Sequence, residues 1–192
     1  MVLASSVFAS SLQLSSPKYD FLIWKSTKRY WTDLPDYQQW KAQLYQESLL
    51  DTNAVSPVGA EGLAQFMPAT WKQISRELGY PEDASPRTPK LAINAGAYYM
   101  RKLRNGWSSP RPQLDRQQLA QASYNAGFGN LLKAQRACGG ENLYPDIIRC
   151  LPQITGHFSN ETITYVKRIE FWYKDLKGVP RDVDYEFVIM GR

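Results

Sequence analysis

Histidine occurs once in this chain, at His157, and cysteine twice, at Cys138 and Cys150. That inventory excludes a Cys/His zinc cluster and gives no reason to expect a metal or a cofactor. Long apolar runs are missing as well. No stretch reaches the roughly 18 uninterrupted apolar residues of a membrane span, so no stable membrane insertion is expected. The opening residues are small and moderately apolar, with Ala9 and Ser10 near a plausible cleavage point. They lack the basic start and long apolar core of a good export signal, so a degenerate signal or a plain extension fits better. Concentrated charge is absent too. Lysine and arginine number 23 against 18 acids, for a net charge of +5. The nearest basic clusters, at 25–29 and 101–104, fall short of a nucleic-acid arm, and no nucleic-acid partner is expected. Internal repeats and low-complexity segments are lacking.

What is present is a chain of 192 residues, 43% hydrophobic and 13% aromatic, enough for one domain with a real core. Helical spacing of apolar residues dominates. It predicts helices over 37–50, over 68–78 with Gly79 as the stop, and over 88–104 with small residues at Ala92, Ala95, Gly96 and Ala97. Asp115 is placed to cap a helix running to about 126, and another begins near Gly129. Ile163, Val166, Ile169, Tyr173 and Leu176 mark one face of a last long helix, which Gly178 and Pro180 end. The tail over 183–190 is the only plausible strand. Residues 51–61, rich in turn formers, read as a loop.

One acid stands out against this background. Tyr37, Trp40, Leu44 and Glu47 are spaced by three, four and three, so they share one helix face, and Glu47 sits where that helix runs into the glycine- and proline-marked loop. A carboxyl on an apolar stripe is a candidate for a pKa raised by desolvation, able to keep its proton near neutral pH and donate it to a leaving oxygen. The plain alternative is a solvated or paired glutamate at a helix end, which is the commoner case.

The stretches Glu47-Ser48, Gly62-Leu63-Ala64-Gln65-Phe66-Met67-Pro68, Ser123-Tyr124-Asn125-Ala126-Gly127 and Glu161-Thr162-Ile163-Thr164-Tyr165 follow one another in that order. Together they resemble the family 1 lytic transglycosylases, whose catalytic domain is related in fold to goose-type lysozyme. The likeness covers about 31–177. It implies a mainly α, lysozyme-like (goose-type) single globular domain whose helix-connecting loops form a glycan groove. The expected boundaries are an extension over 1–30, a catalytic domain over 31–178 and a tail over 179–192.

The resemblance also implies the chemistry and the partner, which is the glycan strand of peptidoglycan. Glu47 would protonate the bridging oxygen of the MurNAc–GlcNAc β-1,4 bond. As a carboxylate it would then take the proton of the MurNAc C6 hydroxyl, which closes on C1 to leave a 1,6-anhydro end. Ser56, nine residues on, would contact the N-acetyl group. Gln65 would line the groove by hydrogen bonding and Met67 by packing on a sugar face. Tyr124 and Asn125 would reach the acid or the N-acetyl group, Glu161 would hold the glycan or its peptide stem, and Tyr165 would support Glu47. Two positions depart from the family pattern, Ala64 for methionine and Ser123 for alanine, and both bear on subsite preference.

Three rival readings stand beside this one. A goose-type muramidase would hydrolyse the same bond with a second acid activating water, and Asp51 is the candidate, although Thr52 and Asn53 beside it suggest a loop-forming role. A non-catalytic peptidoglycan-binding or virion protein would keep only the fold. A nucleic-acid binder has no motif in its favour. Action outside the cytoplasm favours a disulfide between Cys138 and Cys150, closing a loop worth roughly 3 kcal/mol. A compact monomer without wall-binding repeats resembles bacteriophage cell-wall-degrading proteins, as endolysin or virion component. The segment between Asn130 and Phe158 is covered by no motif.

Overall fold

The computed structural model describes residues 13–34 and 36–179. The chain is mainly helical, and its residues cluster into two compact units. One comprises residues up to 99 together with 171–179; the other comprises residues 100–170. Among the described residues there is no strand, only two isolated bridges, Val55 with Glu61 and Glu61 with Phe66. The strand expected over 183–190 lies outside the described residues.

In the first unit, α1 (Asp20–Tyr30) packs on α2 (Tyr37–Ser48), so much of the segment read from sequence as an extension is folded. Ile23, Ser26, Thr27 and Tyr30 of α1 turn inward at helical spacing. Lys41, almost wholly buried on α2, pairs with Asp20 at 2.6 Å and donates to the Ser16 carbonyl. A buried lysine is tolerated only with such partners, so this pair ties α1 to α2. The core centres on Trp31 and Trp40, both fully buried, with rings 6.0 Å apart. Their indole N–H groups donate to the carbonyls of Ala97 and Ile93 on α4 (Pro89–Gly106). Gly96 explains the small-residue pattern of that helix: a Cβ there would overlap the Trp40 ring and crowd Ala64.

The end of α9 (Ser159–Leu176) clasps α2 from its other side. Trp172 lies edge-on to Tyr45 and donates to the side-chain oxygen of Gln46, while Gln38 donates to the Leu176 carbonyl. Asp36 caps α2 by accepting the Gln38 N–H, and its other oxygen accepts from Tyr173 and pairs with Lys177, each at 2.8 Å. Between α2 and α4, α3 (Pro68–Glu77) starts at a proline as expected and buries Trp71 and Ile74.

The second unit is built from α5 (Gln113–Ala126), α6 (Phe128–Ala137), the short α7 (Tyr144–Ile148) and α8 (Pro152–Thr155), and parts of α4 and α9. Leu119, Ala122, Leu131, Ala134, Ile147 and Leu151 form its interior. Trp107 is buried, lies edge-on to Phe128 and donates to the Ser123 hydroxyl. Asp115 does not cap α5, which starts two residues earlier after Pro112; it accepts the Tyr144 N–H at 2.7 Å and so fixes the start of α7. Cys138 and Cys150 are joined in a disulfide that spans α7.

Candidate active site

Glu47 occupies the last turn of α2 and is half-buried. The helix ends abruptly because Leu49 and Leu50 both adopt the left-handed conformation, at φ 54° and 60°. Branched side chains avoid that region, so two in succession store strain of about 1–3 kcal/mol each, typical of segments held for function. Nothing in a Leu-Leu pair signals this from sequence, since a left-handed helix stop ordinarily carries glycine.

Ser48, next to the acid, supplies a fastening. Its buried hydroxyl lies 3.0 Å from the Leu63 carbonyl and 3.3 Å from that of Leu44, so its one hydrogen joins the helix end to the following loop. The loop is further closed on itself. Gly62 N–H donates to Ala54, Glu61 and Phe66 exchange backbone bonds, and the Gln65 amide donates to the carbonyls of Ala54 and Gly62. Gln65 is itself left-handed at φ 43°. Gly62 takes φ 75° where a Cβ would collide with the Pro86 carbonyl, so glycine is required there on both counts. Glu61 pairs with Arg87 at 2.9 Å and holds that neighbouring segment against the loop.

The expected roles of the loop residues are thereby refined. Ser56 accepts the Ala60 N–H at 2.9 Å, which leaves its own hydroxyl hydrogen for another acceptor. Gln65 commits its amide hydrogens to the loop, so its carbonyl oxygen is the atom left for a ligand. Met67 is 42% exposed, consistent with a packing surface. Asp51 accepts the Asn53 N–H at 2.9 Å in a local turn, the loop-forming role its neighbours suggested.

In the second unit, α5 and α9 bring two motifs together. Asn125 donates to Glu161 at 3.3 Å, and the buried Thr162 hydroxyl donates to the Asn125 side-chain oxygen at 2.6 Å. The Asn125 amide orientation is therefore fixed from both ends. Tyr124 is half-buried and Tyr165 buried. A cleft of about 500 Å³ opens here, lined among others by Asn125, Asn130, Ile154, Phe158 and Glu161. Phe158 is 63% exposed, with the His157 ring 4.0 Å away. Ile154, Thr155 and Phe158 belong to the segment no motif covered; an aromatic three residues before Glu161 was the available signal.

The two departures from the family pattern are corrected by burial. Ala64 is fully buried beneath Trp40 and Gly96, and Ser123 is fully buried, donating to Leu119 and accepting from Trp107. Neither side chain reaches a ligand surface, so both substitutions concern core packing and not subsite preference.

The family model described as the transglycosylase SLT domain matches residues 35–145, more than half of the chain. The membrane-bound lytic murein transglycosylase F of Idiomarina loihiensis is 31% identical over 157 residues, covering 74% of this chain and 33% of that one. Its namesake from Alcanivorax borkumensis is 35% identical over 122 residues, covering 61% and 24%. The chain thus spans a third or less of the length of these relatives. Among solved structures, an inactive mutant of the lytic transglycosylase Slt from Pseudomonas aeruginosa matches with a TM-score of 0.65 at 24% identity, over 88% of this chain and 26% of that one. The 70 kDa soluble lytic transglycosylase of Escherichia coli matches with 0.64 at 24%, over 85% and 25%. These likenesses identify the fold as the mainly helical, lysozyme-like one expected. On the extent of the family match, the chain belongs to the transglycosylase SLT domain family.

Proposed function

We propose that this protein cleaves the MurNAc–GlcNAc β-1,4 bond of peptidoglycan as a lytic transglycosylase, with Glu47 as the single acid and base. The observation that carries the reading is the construction around Glu47. The acid stands in the last turn of α2, and the adjacent Ser48 fastens the loop bearing Ser56, Gln65 and Met67 to that same helix end. A proton donor and the groups that orient a sugar are then parts of one rigid assembly, as positioning requires.

In the proposed reaction Glu47 protonates the bridging oxygen while positive charge develops at C1. The Ser56 hydroxyl donates to the N-acetyl carbonyl and the Gln65 side-chain oxygen accepts from a sugar hydroxyl. Glu47, now a carboxylate, withdraws the proton from the C6 hydroxyl as its oxygen bonds to C1. The acid ends the cycle as it began, and no water is consumed. Tyr124, Asn125, Glu161 and Tyr165 serve as substrate-binding and supporting groups. The Asn125–Glu161 pair and the exposed Phe158 ring give the second unit both polar and aromatic surface suited to a sugar or its peptide stem.

The muramidase alternative needs a second carboxylate to activate water. The two nearest in the loop have structural work: Asp51 closes a turn and Glu61 holds Arg87. That occupation favours one acid. The proposed substrate lies outside the cytoplasm, and the reading has the protein act there as a monomer. The relatives are bacterial enzymes, and no observation on this chain supports the bacteriophage reading over a bacterial one.

The test is digestion of purified sacculi in oxygen-18 water, with mass spectrometry of the muropeptides. Unlabelled 1,6-anhydro ends are expected, because the nucleophile is internal. Labelled reducing ends would transfer the protein to the hydrolases.

A further inference from the structure

We propose that the outward ridge of α1 is a docking surface for an anionic lipid bilayer. Opposite its buried face the helix presents Phe21, 67% exposed, and Trp24, 45% exposed, with their rings stacked 6.0 Å apart. Lys25 and Lys28 lie on the same stripe at spacings of three and four, and Lys18 and Arg29 flank it, all exposed. No acid occurs between 21 and 32, and Asp20, at the start of the helix, is taken up by Lys41. Two large rings left in water are costly for a helix whose other face already fills the core. Aromatic side chains ringed by long cations are the composition that settles at a headgroup boundary, with rings at the acyl edge and cations on phosphates.

A second glycan site fits this ridge less well. Sugar recognition couples an open ring face to planar amides or carboxylates, whereas the polar groups turned outward here are cations. The hydroxyls of Ser26 and Thr27 are buried and donate to backbone carbonyls of their own helix. The inference stands apart from the cleavage reaction and would hold with an inactive enzyme.

The full chain is floated with vesicles of phosphatidylglycerol and phosphatidylcholine, or of phosphatidylcholine alone, beside the Phe21→Ser/Trp24→Ser and Lys25→Glu/Lys28→Glu double variants. All four positions are exposed, so a thermal melt should be unchanged. Parent protein should bind the anionic vesicles at least about tenfold more tightly than the neutral ones, and each double variant should lose about tenfold or more. Added salt should weaken parent binding. If either double variant melts early, Trp24→Ser and Lys25→Glu are tested singly in its place, with the same losses expected in direction. Equal binding to both vesicles, or no binding, overturns the proposal. So does full retention by the aromatic variant, which would reduce the effect to diffuse charge. Loss of retention on lipid-free sacculi without vesicle binding would make the ridge a cell-wall face. A shift from dimer to monomer would make it a self-association face.

Discussion

The loop after Glu47 and the segment before Glu161 both join longer helices, yet different chemistry holds them. Around 54–66 the fastening is mostly by neutral hydrogen bonds that Ser48 and Gln65 donate and Ser56 accepts, beside the Glu61–Arg87 ion pair and left-handed backbone at Leu49, Leu50 and Gln65. Over 138–158 a covalent bond between Cys138 and Cys150 spans α7, and Asp115 fixes that helix's start. Hydrogen bonds set positions to fractions of an ångström but only while every partner is in place. A disulfide limits how far a segment can open without defining where each side chain sits. The first arrangement suits a group that transfers protons, the second a surface that binds.

The sharpest break in this comparison is Glu47→Gln. The amide is nearly isosteric but neither donates a proton at neutral pH nor accepts one later. Release of anhydromuropeptides should fall by roughly 10²–10⁴-fold. The melting temperature should stay near that of the parent. Retention of more than about a tenth of the activity would move the acid elsewhere, with Asp51 and Glu61 next.

Ser48→Ala comes second. It removes one hydrogen bond, worth about 1 kcal/mol of stability. If the bond also sets the loop's distance from Glu47, turnover should drop by about tenfold or more, since small misplacements are costly in rate. A lowered melting temperature with unchanged turnover would reduce Ser48 to a structural residue. Cys138→Ser/Cys150→Ser should do the reverse. Stability should fall by roughly 2–4 kcal/mol, kcat should stay close to the parent's, and KM should rise only a few-fold. A collapse of kcat would erase the distinction between the two regions.

Much of this is legible in the residues and some is not. Helices α2, α3 and α4 follow from apolar spacing, and the helix end at Glu47 follows from the turn formers beyond it. The helical content of 17–30 escapes a reading by apolar spacing, because Ile23, Ser26, Thr27 and Tyr30 form an inward face half made of hydroxyls. Both hydroxyls donate to backbone carbonyls within α1, which lets polar residues sit in an apolar interior. Ala64 and Ser123 read as groove positions because they lie inside site motifs. Being next to a functional residue on a helix or tight loop says little about direction, and both point into the core. Ser48 is visible in the residues only as the partner of Glu47 in a motif; its bond to a carbonyl fifteen residues on needs the fold to be seen.

The smallest expected effect lies at the other end of α2, where the comparison turns on charge. Burial alone would raise the Asp36 carboxyl, but hydrogen bonds from Lys177 and Tyr173, the Gln38 N–H and the charge of Lys177 outweigh it and hold the pKa below its ordinary value. A carboxyl lowered on folding adds stability above its unfolded value of about 4, and that contribution is lost as pH falls through the folded value. The bond that fastens the following loop to the other end of α2 comes from the Ser48 hydroxyl, which stays uncharged over that range. Acid should therefore loosen the N-terminal cap of α2 while leaving the Ser48 fastening at its other end in place. Asp36→Asn keeps an acceptor for the Gln38 N–H but loses the charge. At pH 7 it should be less stable by no more than about 1 kcal/mol, because Lys177 is substantially exposed. Melting curves of parent and variant taken from pH 7 to pH 2 should converge at the acid end. Parallel curves would show that Asp36 acts only as a cap and that the clasp with α9 adds nothing electrostatic.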